Sequence, residues 1–381
     1  AKWIDLYFEQ VMETGEENDL KAEATLTELL NNNKLLLDRK ITAETIHKFI
    51  ELCVSQDKHE RFVILLTSLC SCNGDAIATN QKDISSILFN PHVEIGSKLL
   101  MRLRDNKGRI EVEYNEGELH QWVSLLEFEF FSEQNDNRRV FLYYLALLEL
   151  LAELCLQRNY SCIDPLEKIY TFDLVYSCAS NPQLQPDLRS RFTRLLAHMY
   201  VDREPLETIT VPVYTRVWSD LKNSDYTSIP VSKQLIKTEL ELLKDFVKTY
   251  YGSCKGVQKA YERERNEMTL EVLKLTEMMV NFGFYKTENE IKETIDPLIS
   301  LLDGTDDIIN PEEEEDEDLS VIHVKGQLVP EKTVPAPRKR NTDRYKVNED
   351  NLVIMEGKEL MCQILLKISD LRLDLRISTF L

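Results

Sequence analysis

Glycine is scarce in this chain, with eleven residues in 381. None of them falls in a Gly-x-Gly-x-x-Gly, P-loop or Gly-x-Ser-x-Gly arrangement, so there is little material for phosphate-cradling loops or a nucleophile elbow. Positive charge is also short. Against 66 Asp+Glu stand 46 Lys+Arg, a formal charge of -20, and such a chain lacks the basic face that neutralises phosphates, so no nucleic acid partner is expected. The six histidines (His47, His59, His92, His120, His198 and His323) are scattered without a His-Glu-x-x-His pattern. They read as surface or satisfied core residues. No grouping of nucleophile, base and orienting residue is visible, and the chain is expected not to be an enzyme.

Long uncharged apolar runs are absent too. The longest apolar stretch, "VFLYYLALLELLAELCL" from Val140 to Leu156, holds Glu149 and Glu153 one helical turn apart. A lipid-spanning helix would have to bury both carboxylates, so the stretch reads as a buried helix of a soluble domain, with no membrane span within the chain. The opening "AKWIDLYFEQ" has no initiator Met, basic n-region or apolar h-region. No signal peptide is read there, and the chain is expected to be a piece of a longer one. At 381 residues it has room for two or three domains.

What is present is helical periodicity. Ile46, Phe49, Ile50 and Cys53 fall at i, i+3, i+4 and i+7 with Thr42 in the N-cap position, which predicts a helix over 43–54. Phe62, Leu65, Leu66, Leu69 and Cys70 repeat the pattern, and Asn73-Gly74 offers a left-handed stop. Asn80 or Thr79 is expected to cap a third helix carrying Ile84, Ile87 and Leu88. Successive helices of this length with short polar turns are what a stacked α-solenoid requires. Residues 100–136 interrupt it, because Ile110, Val112 and Tyr114 alternate with Arg109, Glu111 and Glu113, predicting a strand or hairpin. Helices resume with Pro186 at a start and Leu188, Phe192, Leu195, Leu196 and Met199 on one face. Ile236, Leu240, Leu243, Val247 and Tyr250 form a later packing seam. The run "NPEEEEDEDLS" and the proline-rich "VPEKTVPAPRKRNTDR" predict a disordered linker over 303–346, followed by a helix from about Leu352 to Arg376.

Two metal patterns fail on donor count. Cys70-x-Cys72 has no second pair or nearby histidine to complete four zinc ligands. In "DGTDDIINPEEE" Ile308 stands where a calcium loop needs glycine. "PRKR", Pro337 to Arg340, is a short basic cluster of a common solubilising kind. The eight cysteines sit mostly on apolar stripes and are expected to be reduced thiols.

Several stretches together resemble the inositol trisphosphate receptors, tetrameric calcium-release channels. They are "LLNNNKLLLDRKITAETIHKFIELC", "LTSLCSCNGDAIATNQKDISSILFNP", "DLRSRFTRLLAHMYVDREPLE", "NFGFYKTENEI" and "LRLDLRIS", in that order along nearly the whole chain. The Cys-x-Cys-Asn-Gly turn is also similar to ryanodine receptors, the sister family, whereas "VDREP", "VYTRVW" and "NFGFY" look closer to the trisphosphate receptors. The resemblance implies an all-α, armadillo-like solenoid with one short β-hairpin insertion and a disordered acidic linker. It divides the chain into the end of a first armadillo-like (RIH) domain (1–95), a connecting segment with the hairpin (96–136), a second helical domain (137–302), the linker (303–346), and a helix rejoining the second domain (347–381).

The resemblance also implies a function: a cytosolic segment on the endoplasmic reticulum membrane that relays ligand binding toward a pore in a homotetramer. Its implied partners are the other domains of the same channel chain and the neighbouring subunits. No position matches the basic residues that grip the ligand in that family, and no cofactor is expected. The implied exception is calcium at a domain junction of the full-length channel, to which the backbone carbonyl of Arg203 would contribute. A free-standing armadillo-like scaffold that binds peptides in a groove, or a ryanodine-receptor-type segment, are the alternative readings.

Overall fold

The computed structural model describes residues 6–7, 9–11, 21–55, 59–90, 92, 94–116, 119–127, 137–203, 237–285, 287–304, 306–308 and 348–380. Most of the expected linker (309–347), part of the connecting segment (128–136), and the stretch after Arg203 that contains "VYTRVW" (204–236) lie outside them. The chain divides into two compact units, residues 1–234 and 235–381.

In the first unit, α1 (Ala22–Leu30), α2 (Lys34–Lys40), α3 (Ala43–Ser55) and α4 (Glu60–Thr67) follow one another through short turns. The expected cap of α3 is present, with Thr45 N–H donating to Thr42 Oγ1 at 3.2 Å. Its stripe Ile46, Phe49, Ile50 and Cys53 is buried throughout. The next helix ends earlier than the apolar pattern suggested. Leu69 and Cys70 are fully buried but follow the last helical residue, and Asn73-Gly74 (φ 53° and 83°) turns a two-residue ladder between β1 (Ser71–Cys72) and β2 (Asp75–Ala76). The left-handed residues thus serve a tight hairpin rather than a helix stop, because two successive positive-φ residues match the twist of paired strands. α5 (Ala78–Leu88) is not capped by Asn80 or Thr79. Asn80 instead lies inside its first turn and donates from Nδ2 to the Leu69 carbonyl at 3.0 Å, tying α5 to the end of the preceding element.

After α6 (Glu94–Leu99) comes a larger insertion than one hairpin. β3 (Leu103–Asn106), β4 (Arg109–Glu116) and β5 (Leu119–Ser124) form an antiparallel meander in that order. Arg104 opposes Glu111, Val112 opposes both Leu103 and Val123, and Glu113 opposes Trp122. Arg104 grips the Glu111 carboxylate at 2.7 Å and lies 4.2 Å from the Trp122 ring centroid. The third strand carries too few alternating apolar residues to stand out in the sequence, and is recruited by pairing with β4.

α7 (Asn137–Cys155) is the long apolar stretch, and it packs along α4 and against α10 (Pro186–Leu196). Leu147, Leu148, Leu150, Leu151, Ala152 and Leu154 have no exposed surface. At about 1.5–3 kcal/mol for each buried leucine, this helix is a large source of apolar stabilisation in the unit. α8 (Tyr160–Leu166) packs on α5 and α7, and α9 (Phe172–Ser180) pairs with α10. Helices after residue 136 therefore pack on helices before residue 95. Among the described helices none is long and apolar enough to cross a membrane.

The second unit contains α11 (Lys237–Cys254), α12 (Arg263–Asn281), α13 (Glu288–Asp303) and α14 (Glu349–Phe380). Of the expected seam, Leu243, Val247 and Tyr250 are buried and Leu240 is half-buried, while Ile236 lies outside the described residues. α13 begins with a reciprocal capping box between Thr287 and Glu290 and stops at Gly304 in the left-handed region. α14 packs on α12 and α13. It starts before Leu352 and continues past Arg376. The expected linker also begins later than residue 303. Asp307 is fully buried, its Oδ1 accepts the Gln258 N–H at 2.8 Å, and its Oδ2 pairs with Lys358 Nζ at 2.8 Å. That ion pair fixes the residues that composition alone had assigned to the linker.

Candidate functional site

The first unit gathers charge at two places, one on α7 and one just beyond its end. Glu149 and Glu153 face α10, where Arg191 and Arg194 stand one turn apart. Arg191 Nη1 meets Glu149 Oε2 at 2.5 Å, and Arg194 bridges both carboxylates. Two guanidinium groups against two carboxylates make a closed, charge-neutral ladder. It explains how an apolar helix tolerates two glutamates. Gln81 Nε2 from α5 donates to the Glu153 backbone carbonyl at 2.7 Å, linking a third helix to the same spot.

The second place is the exit of α10. The helix widens into a π-helical turn over Ala197–Val201, and Asp202 N–H still bonds back to the Ala197 carbonyl at 2.9 Å. A π turn inserts an extra residue per turn, and such turns recur at functional sites. Here it delivers Asp202 and Arg203 onto the α7–α8 corner. Arg158 Nε donates to Asp202 Oδ1 at 2.7 Å, and Arg203 Nη2 donates to Glu167 Oε2 at 3.0 Å. Arg203 also lies over the Tyr200 ring at 5.4 Å. The Tyr200 hydroxyl donates to the Tyr170 carbonyl at 2.6 Å, and the Tyr170 hydroxyl donates to the Met101 carbonyl. This chain of bonds runs from the π turn to the residue that leads into β3.

Arg203 is thus placed at a junction of helices, with its side chain committed to Glu167 and Tyr200. Glu204 and Pro205, which complete the "VDREP" segment, lie outside the described residues. Among the described residues no group of three or more His, Cys, Asp or Glu could hold a metal ion. Cys70 and Cys72 are both buried. Burial drives the Cys70 thiol well above its ordinary pKa, with Glu153 and Cys162 adding to the shift. A zinc ligand needs the opposite environment, one that favours thiolate.

An RIH-domain family model matches residues 2–105. The inositol 1,4,5-trisphosphate receptor itr-1 of Caenorhabditis elegans is 27% identical over 311 residues, 75% of this chain and 10% of that receptor. The chain is thus similar to inositol trisphosphate receptors over most of its length. The inositol 1,4,5-trisphosphate receptor-like protein A of Dictyostelium discoideum is 27% identical over 196 residues, 51% of this chain and 6% of that protein. The chain therefore spans a tenth or less of the length of either relative. Both are named as receptors or receptor-like proteins, not as enzymes.

Sequence reasoning placed Arg203 as a candidate but missed its partners and both ion-pair groups. The signal for one of them was present. Glu149 and Glu153 are four apart on an apolar helix, and Arg191 and Arg194 are three apart on an amphipathic one, so each pair shares a helix face. The other partners, Arg158, Glu167 and Asp202, carried no periodic signal and come together only where the π turn meets the two ends of α8.

Proposed function

We propose that this chain is a cytosolic helical coupling region of an intracellular calcium-release channel gated by inositol trisphosphate. The observation that carries the reading is similarity to the worm receptor over three quarters of the chain, with an RIH match at its start. In this reading residues 1–95 are the end of a first armadillo-like domain, 96–136 a connection, and 137–302 with 347–381 a second helical domain. The packing of α7 on α4 supports a firm joint between the first armadillo-like domain and the start of the second helical domain, suited to moving as one body. The channel would be a homotetramer in the endoplasmic reticulum membrane, with this region contacting other domains of its own chain and neighbouring subunits. The Arg203 carbonyl would donate to a calcium ion completed by oxygens from elsewhere in the channel.

The test is made in the full-length reading frame with Arg194→Gln, which opens the ladder between α7 and α10. Inositol trisphosphate binding is expected to stay near the parental value while ligand-evoked calcium release falls. Unchanged release from a variant whose isolated region melts at a lower temperature would overturn the relay. A second arm uses calorimetry on the isolated chain, which is expected not to bind inositol trisphosphate. Tight binding there would move the chain from coupling to ligand recognition.

A further inference from the structure

We propose that Cys155 and Cys162 form a reversible dithiol–disulfide modification site that closes across the α7–α8 corner. Seven of the eight cysteines are buried and all eight are free thiols. Cys155 is the last residue of α7 and Cys162 lies in the first turn of α8. The Cys155 thiol donates to Cys162 Sγ at 3.7 Å. A disulfide bond is about 2.05 Å long, so closure needs the sulfurs to approach by roughly 1.6 Å, within reach of a rotamer change and a small backbone adjustment.

The chain between the two thiols is strained. Gln157 and Arg158 are consecutive non-glycine residues with φ of 56° and 65°, a conformation that costs energy for any side chain with a Cβ. Oxidation of these buried thiols requires the corner to open locally. Opening matters because burial, followed by the bond to Cys162, holds the Cys155 thiol well above its ordinary pKa, opposed by the charge of Arg203. The oxidant is hydrogen peroxide. One thiol loses its proton and the thiolate attacks a peroxide oxygen, forming a sulfenic acid and expelling hydroxide, which takes up that proton and leaves as water. The second thiol then attacks that sulfur and releases a second water, so two S–H bonds become one S–S bond while the peroxide is reduced.

The corner also carries Arg158, which grips Asp202 at the end of the π turn. Drawing the sulfurs together shifts the residue between them, so closure is expected to loosen residues 197–203. The modification would thereby reach the same junction at which Arg203 sits. The inference stands on the thiol geometry and is independent of the channel reading.

Arg158 provides a direct assay, because trypsin cuts between the two cysteines. The whole reduced chain is exposed to hydrogen peroxide under native conditions, alkylated and digested. The peptide ending at Arg158 and the one beginning at Asn159 are expected to appear joined, two hydrogens lighter than their sum, and to separate again after dithiothreitol. Amide exchange over 197–203 is expected to rise by about two-fold or more in the oxidised chain and not in oxidised Cys162→Ser. The proposal is overturned if the exposed Cys362 oxidises while the joined peptide stays no more abundant than pairings of Cys53 or Cys178. Joining only after urea, or a dominant Cys70–Cys162 pairing, would overturn it equally.

Discussion

The two units are held by different kinds of long-range contact. In the first, polar links join helices already packed through leucine-rich faces. Tyr143 donates to the Leu99 carbonyl, Gln81 reaches Glu153, and the arginines of α10 close on the glutamates of α7. In the second, hydroxyl pairs sit between neighbouring helices, Tyr250 with Thr269 and Tyr251 with Thr276. One buried ion pair, Asp307 with Lys358, bridges the two sides of residues 309–347. Lys358 Nζ also donates to the Leu301 carbonyl at 3.0 Å, adding a hold on the end of α13. Both units rest on apolar helix faces, and the second adds a fully buried carboxylate, Asp307, beside the more exposed pairs Arg263–Glu349 and Lys367–Glu277.

The broadest way to probe that contrast is alkaline pH. Burial raises Tyr143, Tyr144 and Tyr170 in the first unit and Tyr251 in the second, with Tyr285 pushed up to about 12. A raised folded pKa means that stability is retained below the unfolded tyrosine value and lost as pH rises above about 10, at on the order of 1 kcal/mol per pH unit for each group. Buried thiols such as Cys53, also pushed to about 12, begin the decline earlier. Urea melts from pH 8 to 11 are expected to weaken the first unit more steeply. Equal slopes in both units would count against the contrast.

Asp307→Ala is the next largest effect. It leaves the Lys358 ammonium, 12% exposed, without its carboxylate and removes the acceptor for the Gln258 N–H. A loss of about 3–5 kcal/mol is expected, confined to the second unit. Fragment-resolved hydrogen exchange would show whether α14 loosens from α12 while α7 keeps its protection.

In the first unit Leu66→Ala is expected to cost about 2–5 kcal/mol by leaving a cavity against α7, and Cys70→Ala only about 1 kcal/mol. Chelators should shift neither melting curve. A chelator-sensitive melt, or a cysteine variant costlier than the leucine one, would restore a metal reading of the Cys70–Cys72 turn.

The smallest effect separates two deletions. Replacing 312–344 by a short Gly/Ser linker shortens the closed loop and is expected to change stability by only about 0.6 kcal/mol per halving of its length. Extending the same deletion back to 305 also removes Asp307 and should reproduce the Asp307→Ala loss. A large drop from the shorter deletion would show that the acidic run itself supports the unit.

Most helices were legible because burial on one face imposes a period on the sequence, as at Ile46, Phe49, Ile50 and Cys53. The strand β4 was legible for the same reason, with a period of two. Where the reading failed, a residue had two physically sound uses. Asn73-Gly74 can stop a helix or turn a hairpin, and Asn80 can cap its own helix or reach a carbonyl on the preceding segment. Asp307 sits at the edge of an acidic run whose composition predicts solvation, yet one lysine 51 positions on gives it a buried partner.

By itself the sequence determined that this is a helical, acidic chain with a β insertion, because amphipathic period and net charge are local and additive properties. Tertiary structure decided which helices share a unit, which carboxylates are neutralised by which arginines, and that Cys155 and Cys162 stand 3.7 Å apart. Those outcomes depend on directional contacts between residues far apart in the chain. A hydrogen bond or ion pair is set by ångström-scale geometry at both ends, and sequence patterns specify only one end at a time.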